Sequence, residues 1–199
     1  MLIPPVNGHD HAQGPATAAI TLVVYGDYQC PQCAITHSWI KGLQAEMKGR
    51  LRLVFRHFRT SRLYPQAAES AEAAGLQNRF WGMHDTLFKH QSALGNGHLV
   101  EYARDVGLDI SQFLQDMAGP VPAEQVRLDQ ESGAQSGVQD TPTFFVNGVR
   151  HFTERKEDIT LMLGIPATTM SKIGWWADDG ASPPPDGGDE EGSELSHVP

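Results

Sequence analysis

Cys30 and Cys33 are the only cysteines in the chain, and they stand two residues apart in the run Gly26-Asp-Tyr-Gln-Cys-Pro-Gln-Cys-Ala34. A thiolate is both a nucleophile and a metal ligand, and two neighbouring thiols can close a disulfide. The residue types alone therefore allow a metal clip, a structural staple or redox exchange. Zinc asks for four ligands, and the chain has no second Cys-x-x-Cys pair; His37, four residues after Cys33, raises the count only to three. A staple is the device of small scaffolds with several bridges, which a chain of 199 residues with two cysteines is not. A static disulfide and an inert buried pair remain as alternatives to exchange.

The elements that position the pair bear on that choice. Ala19 to Tyr25 is β-rich, nearly continuously apolar and bounded by Gly26, which predicts a strand buried on both faces. From Pro31 onward, Ile35, Trp39, Ile40, Leu43 and Met47 recur at helical spacing until Gly49, which is placed to supply a left-handed cap. The cysteines thus fall at a strand-to-helix junction. Residues i and i+3 share a helix face, so Cys30 and Cys33 can reach disulfide distance. At the N-terminus, unpaired N–H groups and the helix dipole favour a thiolate on Cys30, while Cys33, a turn further in, is covered. This makes Cys30 the expected nucleophile, Cys33 the resolving thiol and Cys30–Cys33 a redox-active disulfide. The exchange needs no cofactor.

Leu51 to Phe58 alternates enough to predict a second strand with one partly polar face, which completes a βαβ unit. Helical patterns follow. Pro65 opens one to Gln77, Phe80, Met83, His84, Leu87 and Phe88 mark another, and His98 to Val106 is a third. Asp109 can cap a short helix to Met117, and Val121 to Gln135 is a further helix weakened at Gly133. Thr143 to Val146 and Val149 to Phe152, joined by Asn147-Gly148, predict a hairpin, and Glu154 to Leu163 a closing amphipathic helix.

A strand, Cys30-Pro31-Gln32-Cys33 opening a helix, a second strand, a helical block and then Thr141-Pro142-Thr-Phe-Phe-Val-Asn-Gly148 before a hairpin form a specific pattern. Two motifs more than a hundred residues apart agree with the order of elements between them. This resembles the DsbA-like branch of the thioredoxin superfamily over Gly14 to Leu163. The resemblance implies an α/β, thioredoxin-like fold with a helical domain inserted after the second strand. It implies an N-terminal arm over 1–15, a core over 16–61 and 120–165, an insertion over 62–119 and a tail over 166–199. It also implies thiol-disulfide exchange with protein or peptide substrates, with Thr141, Pro142, Pro31 and Gln32 binding substrate and Pro142 cis and facing the cysteines. Strongly oxidising members carry a histidine where this chain has the uncharged Gln32, which shifts the expected direction toward reduction. Glutathione-dependent transferases and isomerases of the kappa type share the architecture but use a serine and no second cysteine, so Cys33 argues against them.

The net charge of −9 is concentrated: Asp178, Asp179, Asp186, Asp189, Glu190, Glu191 and Glu194 carry seven of the negatives and leave about −2 for the rest. With no basic stripe, nucleic acid is not an expected partner. The longest apolar run, Ile20 to Tyr25, is far short of the roughly 20 residues that cross a membrane. The first Lys or Arg is Lys41, and prolines and glycines break Met1 to Pro15, so no secretory leader is expected. These features lead to the expectation of a cytoplasmic reductase fed by a small-thiol or thioredoxin-type reductant. The alternative is a non-catalytic redox-sensing adaptor or holdase using the groove between core and insertion.

Other residues have blander expected roles. Asp27 is expected in turn or capping chemistry, Tyr28 on the rim of the site, His57 as a structural histidine, and His9 and His11 in a solvated arm. Ala177 to Pro199 has a disordered composition, and Trp175 and Trp176 before it are expected to dock on the body.

Overall fold

The structure, a computed structural model, describes residues 1–60 and 63–151. The expected helix from Glu154, the tryptophan pair and the acidic tail lie outside the described residues. Five strands form one sheet: β1 (His11–Gln13), β2 (Ile20–Gly26), β3 (Leu51–His57), β4 (Thr143–Val146) and β5 (Val149–His151), in the order β1-β3-β2-β4-β5. Among the described residues only β2 and β3 run parallel; α1 (Pro31–Met47) connects them. Five helices stand between β3 and β4: α2 (Gln66–Leu76), α3 (Phe80–Lys89), α4 (Asn96–Asp105), α5 (Ile110–Ala118) and α6 (Pro120–Gln135). This is the thioredoxin-like α/β arrangement with a helical insertion that the sequence leads one to expect.

Side chains alternate across a strand, so β2 feeds two cores. Leu22 and Val24 join α1 and the helical block on one face, while Val23 and Tyr25 meet Leu2, Val54, Phe58 and Phe145 on the other. Two glycines permit close approach. A Cβ on Gly26 would lie 2.6 Å from the Phe55 ring, and one on Gly133 would lie 2.5 Å from Phe58. Gly133 therefore weakens α6 as an isolated helix yet lets it seat against the sheet. The β4–β5 turn has Asn147 at φ 48° and Gly148 at φ 82°, the left-handed pair that an Asn-Gly hairpin requires.

Two expectations need correction. In α1 the buried stripe is Cys33, Thr36, Ile40, Leu43 and Met47, while Ile35 is 49% exposed. The strand-to-helix junction turns Cys33 inward, and the stripe must continue from it at helical spacing. The arm is solvated only in part: His9 is exposed as expected, but two stretches of it dock on the body. β1 pairs antiparallel with β3, Leu2 is buried, and the Leu2 N–H donates to Gly148 O at 2.9 Å. The arm covers the β3 face that carries Arg56. That buried guanidinium donates to Asp10 at 2.7 and 3.0 Å, to Tyr25 Oη at 3.0 Å and to Pro4 O at 3.1 Å. A buried cation needs such matched acceptors, which explains why a polar strand face closes against the arm.

Candidate active site

β2 ends at Gly26, and the chain turns through Asp27 to Gln29 before Cys30 becomes the N-cap of α1. Cys30 is extended, at φ −86° and ψ 114°, and its Sγ accepts the Cys33 backbone N–H at 3.2 Å. A sulfur therefore occupies the position usually taken by a capping oxygen. Cys30 is half-buried and Cys33 is 3% exposed; both are free thiols. Hydrogen bonding from the Cys33 side chain, with its backbone N–H, brings Cys30 down to about 6 from the ordinary 9.0, against the upward push of burial and of Asp27. The same hydrogen bond, seen from the donor, and then burial push Cys33 well above the ordinary thiol range. One sulfur is thus primed to ionise and the other to keep its proton.

Thr141 and Pro142 arrive from the far end of the chain. Tyr25 pairs with Thr143 in the β2–β4 register, which puts the residues just before β4 beside the loop that follows β2. The Thr141–Pro142 bond is cis, and the Cys30 Sγ–H donates to Thr141 O at 3.3 Å. Pro31 and Gln32 are exposed beside the pair. The four residues expected to meet substrate therefore converge on Cys30.

Hydrogen bonds from the surrounding loops fix this turn. Asp27 is 4% exposed; its Oδ1 accepts from Gln29 N at 2.9 Å and its Oδ2 from Thr60 N at 2.8 Å. Tyr64 N donates to Gln29 Oε1 at 3.1 Å. Asp27 is thus the turn-building residue expected. Gln91, after α3, also supports the turn: its Nε2 donates to the Cys30 carbonyl at 2.7 Å. Nothing local marks Gln91 in the sequence, because its partner lies 61 positions away.

Tyr28 corrects another expectation. It is 1% exposed and points beneath the site, where its hydroxyl meets His84 Nδ1 at 2.9 Å and its ring lies 4.8 Å from Phe88. Gly26 ends the strand before the chain turns, so Tyr28 reaches the apolar space between β3 and α3 rather than the rim. His57 is structural as expected, with Nε2 2.8 Å from Glu72 Oε1. Glu72 also meets His11 Nε2 at 2.8 Å, so His11 is tied to α2 rather than solvated. Among the described residues, His57, Glu72 and Asp129 come together as possible metal donors, and so do His37, His84 and Asp85. In both groups, hydrogen bonds within the protein already engage a ring nitrogen and carboxylate oxygens that a cation would need.

A sheet of this order, with a Cys-x-x-Cys at the first helix N-terminus and helices inserted after β3, defines a thioredoxin-like fold. The Thioredoxin family description Thioredoxin_4 matches residues 6–163, and the chain belongs to that family. Among solved structures, a thioredoxin-like oxidoreductase from Silicibacter pomeroyi DSS-3 superposes with a TM-score of 0.71 at 24% identity, over 79% of this chain and 92% of that one. BdbD from Bacillus subtilis gives 0.69 at 22% identity, over 83% and 94%. The thiol-disulfide exchange protein alpha-DsbA2 from Wolbachia pipientis gives 0.70 at 16% identity, over 79% and 86%. Curated relatives carry a different name. A Na(+)/H(+) antiporter NhaA of Herminiimonas arsenicoxydans is 43% identical over 152 residues, and NhaA 1 of Salinispora arenicola (strain CNS-205) is 38% identical over 154. These matches cover 75% and 76% of this chain but only 24% of each antiporter, so the chain spans about a quarter of their length.

Proposed function

We propose that the chain is a thiol-disulfide oxidoreductase that exchanges disulfides with protein or peptide substrates through Cys30 and Cys33. It works as a reductase in the cytoplasm, recharged by a small-thiol or thioredoxin-type reductant. The observation that carries this reading is the asymmetry of the pair: a half-buried Cys30 brought to about 6, beside a buried Cys33 that holds its proton. The Cys30 thiolate attacks a substrate sulfur, displaces the other as a thiolate and forms a mixed disulfide. Cys33 then attacks Cys30, closing the protein disulfide and releasing the second substrate thiolate. Thr141, beside Cys30, can offer its backbone groups to an extended peptide as an added strand would.

Direction follows from how strongly the reduced form is stabilised. The hydrogen bonds that lower Cys30 come from neutral groups, the Cys33 side chain first, and no cation adds to them. Gln32 adds no positive charge. A weakly stabilised thiolate favours the oxidised protein and hence donation of electrons. A reducing compartment would keep such a pair charged for that work. The test is reduction of insulin disulfides with excess dithiothreitol, monitored by turbidity. The parent should accelerate precipitation and Cys30→Ser should not; a Cys30→Ser protein as active as the parent would overturn the reading.

A second reading is a redox-sensing adaptor, favoured by the relatives named as Na(+)/H(+) antiporters, of which the matched stretch is only a part. Partner capture unaffected by replacing either cysteine, with no mixed disulfide formed, would favour that adaptor.

A further inference from the structure

In the reduced protein Cys33 lies one helical turn from the Cys30 sulfur, which accepts its backbone N–H at 3.2 Å, and hydrogen bonding to Cys30 holds the Cys33 thiol in its protonated form. Once Cys30 is joined to substrate, that sulfur is no longer an anionic acceptor, yet Cys33 must lose its proton to attack. Cys33 is 3% exposed, so bulk water cannot readily take it. Behind it lies a cavity of about 20 Å³ whose polar lining is Cys33, Thr36, His37 and His84. A cavity of ~10–15 Å³ or more with polar partners admits one water.

We infer that His37, oriented by Asp85, accepts the Cys33 proton through this cavity when Cys33 resolves the mixed disulfide. The inference rests on the oxidoreductase reading above. His37 lies four residues after Cys33 on α1, hence on the same side of the helix. Its Nε2 is 3.2 Å from Asp85 Oδ1, and its ring stacks on Phe88 at 4.8 Å and 21°. A carboxylate at this distance from Nε2 favours the tautomer that carries its proton there and leaves Nδ1 as the acceptor. Asp85 is held anionic: burial pushes its carboxyl up, but His37 and Lys41, the latter at 2.6 Å, bring it below the ordinary range.

The other imidazole is worse placed. His84 is buried, burial and then the neighbouring histidines hold it well below the usual range, and its Nδ1 is engaged with the Tyr28 hydroxyl. His37 keeps 13% of its side chain exposed, which gives the proton an exit. Thr36, His37 and Lys41 from α1, His84 and Asp85 from α3, and Tyr28 and Asp27 from the loop are polar groups around the pair and this path, and both Asp27 carboxylate oxygens already accept backbone N–H groups.

The step balances as follows. The Cys33 sulfur forms a bond to the Cys30 sulfur, the Cys30–substrate S–S bond breaks, and its electron pair leaves on the substrate sulfur. The Cys33 proton passes to His37 Nδ1 and then to solvent or the departing thiolate. Over both exchange steps the two protein thiols are oxidised by two electrons and the substrate disulfide is reduced by two.

Ellman's reagent separates the steps, because attack by Cys30 releases one aromatic thiolate and resolution by Cys33 releases the second. In stopped flow the first phase should be unchanged in His37→Gln and Asp85→Asn, and in the exposed control His98→Gln. The second phase should slow by about a hundredfold or more in His37→Gln, within the range of general-base loss, and by less in Asp85→Asn. In His37→Gln it should rise in proportion to hydroxide, and added imidazole should speed it in His37→Ala. Normal second phases in both folded His37→Gln and Asp85→Asn would overturn the inference and leave the oxidoreductase reading standing, as would equal slowing of both phases. Absence of both phases in the parent would overturn the reading itself, and the inference with it.

Discussion

The first turn of α1 and the hub around Glu72 both gather ionisable groups under cover, yet they finish their hydrogen bonds differently. At the hub, Glu72 gives one oxygen to His11 and the other to His57, each at 2.8 Å. Asp129 takes the His57 backbone N–H at 2.9 Å and the Gln125 amide at 3.0 Å. Four elements, β1, α2, β3 and α6, are thereby tied at one point. At the cysteines, hydrogen bonds stabilise one protonation state of each sulfur, but Cys30 stays half-exposed and can be approached. A completed buried network holds a structure together; a nucleophile needs stabilisation without enclosure.

Substitutions at the two regions should break in opposite ways. The largest effect is expected at Cys30: Cys30→Ser removes disulfide reduction to background, while thermal unfolding of the reduced protein changes little. Cys33→Ala should still form the mixed disulfide and then accumulate it, visible by mass spectrometry. At the hub, Glu72→Ala leaves two histidines without their carboxylate and should lower unfolding stability by about 3–5 kcal/mol, read by urea denaturation. It should leave the pH profile of Cys30 alkylation in place. A Glu72→Ala protein of full stability would show that the hub is not a clamp.

Acid titration sharpens the contrast. Burial pushes Glu72 up, but the hydrogen bonds from His11 and His57 win and bring it from 4.5 to about 2. Its stabilisation is therefore present above about 4.5 and lost as pH falls toward about 2, by roughly 3 kcal/mol. Asp129 has the opposite sign. Burial raises it from 3.8 to about 6, so its contribution is present below 3.8 and lost as pH rises through about 6. Glu72→Gln should flatten the acid limb, and Asp129→Asn the decline toward neutrality, in unfolding measured from pH 2 to 8. The smallest effect concerns a single hydrogen bond. Cys33→Ala should move the midpoint of Cys30 alkylation upward from about 6 toward the ordinary thiol value.

Much of this site is legible in the sequence, because its signals are local. The cysteine spacing, the apolar strand ending at Gly26, the helical period after Pro31 and the Asn147-Gly148 turn each depend on neighbours a few residues away. Thr141 and Pro142 are reached through the likeness of the whole pattern. What stays hidden depends on distant partners. The three residues of β1 carry no strand pattern and exist through pairing with β3. Tyr28 is drawn inward by Phe55, His84 and Phe88, and Gln91 acts on a carbonyl in another element. Ile35 fits a helical stripe as well as Thr36 does; the inward turn of Cys33 selects the stripe.

The most direct test of the central claim is the reduction potential of the Cys30–Cys33 couple, equilibrated against dithiothreitol and glutathione buffers and read by differential alkylation. A reducing pair predicts a two-electron transition closer to the ~−270 mV of thioredoxin than to the ~−120 mV of DsbA. A midpoint near the DsbA value would contradict the proposed direction, and no reversible transition would contradict a redox-active pair.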